Sequence, residues 1–250
     1  MFATSTILTR LRAAGIHLLL SAAIFLVLLY FIVYQWYPIP YFSVDGGWQG
    51  IQIMIGVDLV LGPFLTLLIF NPNKTRNKIL FDLGCIAVVQ LSALIWGVST
   101  VYDQRPVAIS YWDGKFYSVT TKELKKQKLT PDVFEALSDQ RPPVIYTRKP
   151  QTSEESIGVI TWLFTESTSE WNLHFLHERI SSHIEDVFRQ SKDISAEYEK
   201  PEKLTQDFNL ILERLGGKKE DYAAIPFMGR YGTVLLIMNK QGVIVDSLEI

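Results

Sequence analysis

The chain has 250 residues, 48% of them hydrophobic, with a formal net charge of −2 and a mean hydropathy of +0.15. That apolar share is high beside 20% charged residues, so the apolar residues are expected to be segregated along the chain. Nothing is basic enough to suggest a nucleic-acid partner, and the single cysteine, Cys85, excludes an intrachain disulfide or thiolate metal site.

The segregation is sharp. Residues 102–250 carry 19 Lys and Arg against 23 Asp and Glu, whereas the first 101 residues carry five against three. A short amino-terminal segment, 1–15, precedes a three-helix transmembrane region, 16–101, whose spans are expected at about 16–36, 51–70 and 79–101. The first run, IHLLLSAAIFLVLLYFIVY, is long enough to cross a hydrocarbon core, which takes roughly 20 helical residues. It ends in Tyr34, Trp36 and Tyr37, which suit a membrane–water interface, so it is expected to be a retained anchor and not a cleaved signal. Arg10 and Arg12 precede it, and Lys74, Arg76 and Lys78 fill the turn between spans two and three. The 37–50 loop has only Asp45. Positive loops mark the cytoplasmic side. The chain is therefore expected to be a multi-pass protein of a bacterial inner membrane, amino terminus in the cytoplasm and 102–250 in the periplasm.

Within span two, GVDLVLGPFLTLLIF places a carboxylate, Asp58, in a nearly unbroken hydrocarbon run. Asp58 lies twelve residues before Phe70 and Gln90 eleven after Ile79. At about 1.5 Å per residue both sit roughly 17 Å from the inner boundary. An amide can donate to a carboxylate there, and side-chain hydrogen bonds between membrane helices average only about 0.6 kcal/mol, so the pair would fix which faces meet. Pro63, followed by Thr66, is expected to kink the span and free a carbonyl beside Asp58. Two readings stand open. Asp58 bonds Gln90 or a Thr66-type hydroxyl and is structural, or it lies with Gly56 and Gly62 on a face that engages another protein's membrane helix. An intramembrane aspartyl protease needs two carboxylates sharing a proton, and Asp82 lies too near the inner boundary. His17 and Asp82 share that boundary, where a bundle could pair them. Cys85 is expected to be a small apolar packing residue.

The outer region reads as an α+β domain with two β-hairpins framing helices. RPVAISYWDGKFYSV (105–119) has alternating runs around Asp113-Gly114, a strong hairpin signal. A helix is expected after Thr121 and another from Thr130-Pro131-Asp132, with a strand over 142–149. Further helices are expected over 153–164, 170–190 and 201–217. In the second of these Leu173, Leu176, Ile180, Ile184 and Val187 recur at helical spacing. The closing RYGTVLLIMNKQGVIVDSLEI gives two β-rich runs around NKQG. His174, His177 and His183 do not form an H-E-x-x-H zinc pattern, and no G-x-S-x-G elbow, P-loop or C-x-x-C occurs. No metal, no other cofactor and no catalytic residue is expected. The domain reads as a binding surface, not an enzyme.

Taken together, several motifs resemble one family. They are Trp36-Tyr37-Pro38 (W-Y-P), then Val57, Asp58, Leu61, Gly62, Pro63, Leu65 and Thr66 (V-D-x-x-L-G-P-x-L-T). Gln90, Ala93 and Leu94 (Q-x-x-A-L) follow, then Arg105, Pro106 and Val107 (R-P-V). In this order, and with the closing PFMGRYGTVLLIMNKQGVIVD, the chain resembles the bacterial type IV pilin accessory proteins over roughly 10–110 and 226–250. The resemblance implies an inner-membrane protein, typically encoded near a pilin, that supports pilin stability, pilus assembly or pilus dynamics. It implies no enzymatic activity and assigns no role to Asp58, Gln90 or Arg105. A pilin itself would carry a glutamate five residues into its mature apolar helix, and that residue is missing.

Two functions from different classes follow. The first is a non-catalytic assembly factor whose bundle docks the membrane helix of a type IV pilin through Asp58, Gly62, Pro63, Thr66 and Gln90. Its outer domain would touch the pilin's globular head, and its other surroundings would be membrane lipid. The alternative is a small sensor or an ion- or proton-coupled transport component with a periplasmic ligand-binding domain.

Overall fold

The computed structural model describes residues 2–191 and 201–250, of which 2–6 and 201 are described by their backbone. The chain divides into two packed units. One comprises Met1–Phe42 and Gly46–Asp103, the other Ser43–Asp45 and Gln104–Ile250.

Three helices of the first unit are long and apolar enough to cross a membrane: Ile7–Trp36, Gly47–Ile69 and Arg76–Gln104. The first is α-helical over Phe2–Tyr30, so the expected amino-terminal segment is continuous with the span, and it loosens into a π-helical turn at Phe31–Trp36. The second begins a turn earlier than expected and is α-helical over Gly47–Met54 and Gly62–Ile69, with a π-helical stretch, Ile55–Leu61, between them. The third is an uninterrupted α-helix, Arg76–Gln104. Span two is the centre of the bundle: 33% of its most apolar stretch is buried, against 11% and 6% in spans one and three.

The core of this unit sits at one end. Ile32, Tyr37, Ile51, Met54 and Val101 are buried together there, flanked by Leu28, Leu29, Leu94 and Val98. Tyr37 is therefore a core residue and not the interfacial anchor expected from its position. Its ring is 1% exposed, and its hydroxyl donates to the Val101 carbonyl at 3.0 Å. Trp36 meets the edge of Tyr102 at 5.2 Å, and the Pro38 carbonyl accepts from Tyr41 N–H, closing the turn after span one. Gly50 allows span three to come close, since a Cβ there would lie 2.7 Å from Val101 Cγ2.

The second unit is built on one seven-stranded mixed sheet with strand order β4-β3-β1-β2-β5-β6-β7. The strands are β1 (Pro106–Trp112), β2 (Lys115–Thr120), β3 (Val144–Thr147), β4 (His177–Arg179), β5 (Tyr222–Met228), β6 (Thr233–Asn239) and β7 (Ile244–Glu249). Strand β1 pairs antiparallel with β2 and parallel with β3, and β2 runs parallel to β5. The β1–β2 turn is the two-residue Asp113-Gly114, both at positive φ (47° and 78°), the combination that matches strand twist. The carboxy-terminal part is a three-stranded meander, because β5 pairs antiparallel with β6 ahead of the expected β6–β7 hairpin.

Helix Pro201–Leu215 lays Leu204, Phe208, Ile211 and Leu212 on Ala224, Leu235, Ile237 and Leu248 of that meander. A second cluster joins Val107, Ala108, Val119, Leu124, Phe134 and Ile145. Helix Ser153–Thr165 is capped by Thr152, whose hydroxyl accepts from Glu155 N–H at 3.1 Å. Thr120, not Thr121, caps the helix Thr121–Lys126.

Two expected helices are corrected. Residues 170–190 are not one helix. They form 3₁₀ turns at Glu170–Asn172, His174–Leu176 and Ile180–His183, strand β4, and an α-helix only over Ile184–Gln190. The apolar spacing is real, because Leu173, Leu176, Ile180 and Val187 are all buried, but a period near three serves 3₁₀ turns equally well. What takes the segment out of the helix is pairing of β4 with β3, Ile145 opposite Arg179 and Thr147 opposite His177. Thr130 likewise opens only a 3₁₀ turn, Pro131–Phe134, and its hydroxyl turns to Asp132 instead of capping the backbone.

Candidate functional site

Asp58 lies in the π-helical stretch of span two, 6% exposed. The register explains its surroundings. In this stretch the Gly62 N–H reaches back five residues to the Val57 carbonyl. The next donor in that pattern would come from residue 63 and go to the Asp58 carbonyl, but Pro63 has no N–H. The freed carbonyl accepts instead from Gln90 Nε2 of span three at 3.3 Å. The Asp58–Gln90 contact expected from depth therefore exists, with the main-chain oxygen as an acceptor and the carboxyl group beside the same amide. The same amide nitrogen is 3.4 Å from Ser21 Oγ of span one, so all three spans meet at this one group.

Gly62, Pro63 and Thr66 are buried beneath it. A side chain at Gly62 would run into the Gln90 amide, so this glycine admits span three and is not an open docking surface. Thr66 donates to the Gly62 carbonyl at 3.2 Å and lies 2.6 Å from His17 Nδ1, which takes the donor role that leaves. His17 is thus paired with Thr66, not with Asp82. Asp82 pairs with Lys74, while Arg76 and Lys78 are exposed in and beside the 71–78 turn. Gly56 has open space around it, and Cys85 is exposed on the outside of span three and not packed as expected.

Beside Asp58 a cavity of about 190 Å³ opens between spans one and three, walled by Leu20, Ile24, Ala87 and Leu91 with Ser21 and Gln90 on its rim. A second cavity of about 380 Å³ shares His17, Leu20 and Ala87 with it and continues past Thr66 to Ala13 and Leu83. The two form one groove, with span two as its floor. Spans one and three share a buried core at the Ile32/Val101 end and meet again at Ser21 and Gln90. At the floor of the groove Asp58 Oδ1 is buried with no hydrogen-bond partner among the described residues.

The second unit holds a different acid. Asp45 is fully buried, and its Oδ1 accepts from Arg230 Nε at 3.0 Å and from Arg230 N–H at 3.2 Å. The same guanidinium reaches the Asp45 carbonyl and bonds Gln104 Oε1 at 2.5 Å. Tyr231 N–H donates to the Val44 carbonyl at 2.8 Å, and a side chain at Gly229 would strike that carbonyl. Residues 43–45 are thus stapled to the β5–β6 turn. Nothing in the sequence marks this pairing across 185 positions. Nearby, Arg105 offers its carbonyl to Thr121 N–H, and Pro106 opens β1.

Elsewhere in this unit several titratable groups are tied into the packing. His177 is buried with Nε2 on the Trp171 carbonyl at 2.9 Å, and burial pushes its pKa down to about 4. Burial also lowers that of His174. Tyr146 donates to Asp186 at 2.8 Å and stacks on His183 at 4.1 Å, and burial, then Asp186, pushes its pKa up to about 12. Among the described residues no three His, Cys, Asp or Glu side chains converge as a metal site.

Comparison with known proteins fits these observations to one family. Residues 5–46 match the family described as fimbrial assembly protein FimB. The chain is 37% identical over 100 residues to the fimbrial assembly protein of serogroup E1 of Dichelobacter nodosus, covering 40% of this chain and 39% of that protein. It is 36% identical over 100 residues to the serogroup I protein of the same organism, covering 39% of it. Against the protein of serogroups C1 and C2 it is 36% identical, covering 76% of that relative. The match spans about two fifths of the first two relatives' lengths. No solved structure matches. With three quarters of one such relative covered at that identity, the chain belongs to the fimbrial assembly protein family.

Proposed function

We propose that this protein is a non-catalytic accessory factor for type IV pilus assembly that holds the apolar helix of a pilin in the inner membrane before or during its assembly. One observation carries the reading. The three-helix unit contains a groove, open along spans one and three, with one carboxyl oxygen, Asp58 Oδ1, unpartnered at its floor among the described residues. Membrane helices associate by close packing and by a few polar contacts, and a groove with one polar point offers both. The names of its relatives support a part in fimbrial assembly.

The orientation proposed is amino terminus and 71–78 turn in the cytoplasm and 104–250 in the periplasm. Lys74, Arg76 and Lys78 support it through the positive-inside rule. Packing supports it too, since residues 43–45, Gln104 and Arg230 belong to one unit and must lie on one side of any membrane.

A photoreactive residue at Leu91 or Leu20, on the groove walls, tests the reading in cells that make type IV pili. Deletion of the protein should strip surface pili, and the photoreactive chain should trap the major pilin. Capture of lipid alone, or full piliation without the protein, contradicts it.

A further inference from the structure

Resting on that reading, we infer that the groove between spans one and three selects its helix by a hydrogen-bond donor, an N–H or O–H on the incoming helix, that is received by the carboxyl group of Asp58. Several independent features of the groove lead there.

The walls are almost entirely hydrocarbon: Leu20, Ile24, Ala87, Leu91 and Leu94. An acyl chain could fill such walls as well as a helix could. What an acyl chain cannot do is answer Asp58, whose Oδ1 is buried with no partner although the residue is only 6% exposed. A buried acceptor left unmade costs about 1–3 kcal/mol, and a donor brought by a docked helix recovers it. The donors at hand leave Oδ1 unanswered. Gln90 Nε2 goes to the Asp58 main-chain carbonyl that Pro63 leaves open, with Ser21 at its other side, and the same amide lies beside the carboxyl group. Thr66 donates to Gly62, and His17 is tied to Thr66. The proline thus has a second effect: by drawing Gln90 towards the backbone it leaves Oδ1 without a partner.

The occupant is a single helix and not a second copy of the bundle. The groove's two cavities, about 190 and 380 Å³ between two spans, take the side chains of one helix. Its floor position also sets where on the incoming helix the donor must be: roughly 17 Å from the cytoplasmic boundary, about eleven residues into that helix.

The test uses the full-length chain with the photoreactive residue at Leu91, made together with the major pilin. Asp58→Asn retains an acceptor oxygen and the side-chain shape, and should trap pilin within about twofold of the unsubstituted chain. Asp58→Leu retains bulk without an acceptor, and trapping should fall roughly three- to tenfold, the range expected for one hydrogen bond between membrane helices. Replacing in turn each polar residue of the pilin's membrane helix by leucine should reveal one whose loss lowers trapping equally and adds nothing when combined with Asp58→Leu. Equal trapping by all three chains overturns the inference while leaving pilin docking intact, as it would if a trapped water already answered the acid. Absence of pilin from the Leu91 adduct in the unsubstituted chain, with lipid or a second copy in its place, overturns the docking reading itself. If Asp58→Leu does not insert, the Asp58→Asn chain with the pilin series decides the matter. No single pilin residue lowering trapping counts against the donor.

Discussion

Among the described residues the two units each bury one aspartate, and they compensate it differently. Asp45 has a guanidinium on its Oδ1, a backbone N–H on the same oxygen, and a main-chain carbonyl held by the same arginine. Asp58 has an amide on its main-chain carbonyl and an Oδ1 without a partner. A charge compensated in place is a fastener, costly to break and of no use to a visitor. A polar group left unanswered in an apolar groove is poorly fitted to hold its own fold together and well fitted to hold something else. Each keeps one carboxyl oxygen without a partner among the described residues, Asp45 Oδ2 and Asp58 Oδ1, and both residues are more than nine-tenths buried, so what sets them apart is the arginine that compensates Asp45.

The comparison breaks if the two acids behave alike on substitution. The largest effect on stability is expected at Asp45→Ala, which strands the Arg230 guanidinium. Unfolding of the second unit, followed in denaturant by tryptophan fluorescence, should cost about 3 kcal/mol less, with Asp45→Leu plus Arg230→Met recovering most of it.

Acid should act next. His177 has a folded pKa near 4, below its unfolded value, so the unfolded chain binds more protons as pH falls through that interval. Its contribution is fully present above about pH 6.5 and is lost progressively towards pH 4, with about 2 kcal/mol gone by pH 5. His174 shifts the same way and adds to the slope. Glu155 and Asp186, whose carboxyl groups are held low by Arg148 and by Arg189, lose their contributions only as pH falls below the usual carboxylate range. A melting curve that is flat between pH 7 and pH 5, or equally steep in His177→Gln, contradicts the assignment.

Within the membrane unit, Gly62→Ala should cost about 1–3 kcal/mol in thermal unfolding, because the added methyl displaces the Gln90 amide. Gly56→Ala, with open space around it, should cost nothing measurable. Asp58→Leu should not destabilise at all. Removing an unanswered acceptor should leave unfolding unchanged or make it up to about 3 kcal/mol more costly, yet surface piliation should fall. A fall of several kcal/mol there would make Asp58 a second Asp45.

The membrane unit was more legible in the sequence than its site was. Apolar runs reveal spans whatever their packing, and the freed carbonyl follows from Pro63 alone. The groove does not, because spans one and three are apolar on every side and give no sign of which faces meet. Ser21, a hydroxyl inside an apolar run, was the available signal for span one's share of the site. In the second unit Asp113-Gly114 and Gly242 mark their turns through backbone conformation. Strand β5 carries Pro226, which weakens any strand pattern, and residues 170–190 carry a spacing that two backbones satisfy. The Asp45–Arg230 staple is long-range, so no local rule reaches it.

The infrared difference spectrum of the full-length protein in lipid nanodiscs, recorded with and without the major pilin, reads the Asp58 carboxyl group directly. If that group receives a donor from the docked helix, its carbonyl stretching band should shift to lower frequency on pilin addition and be missing from the Asp58→Asn spectrum. A bound pilin that leaves the band unmoved would contradict the claim that the carboxyl group at the floor of the groove is what the incoming helix meets.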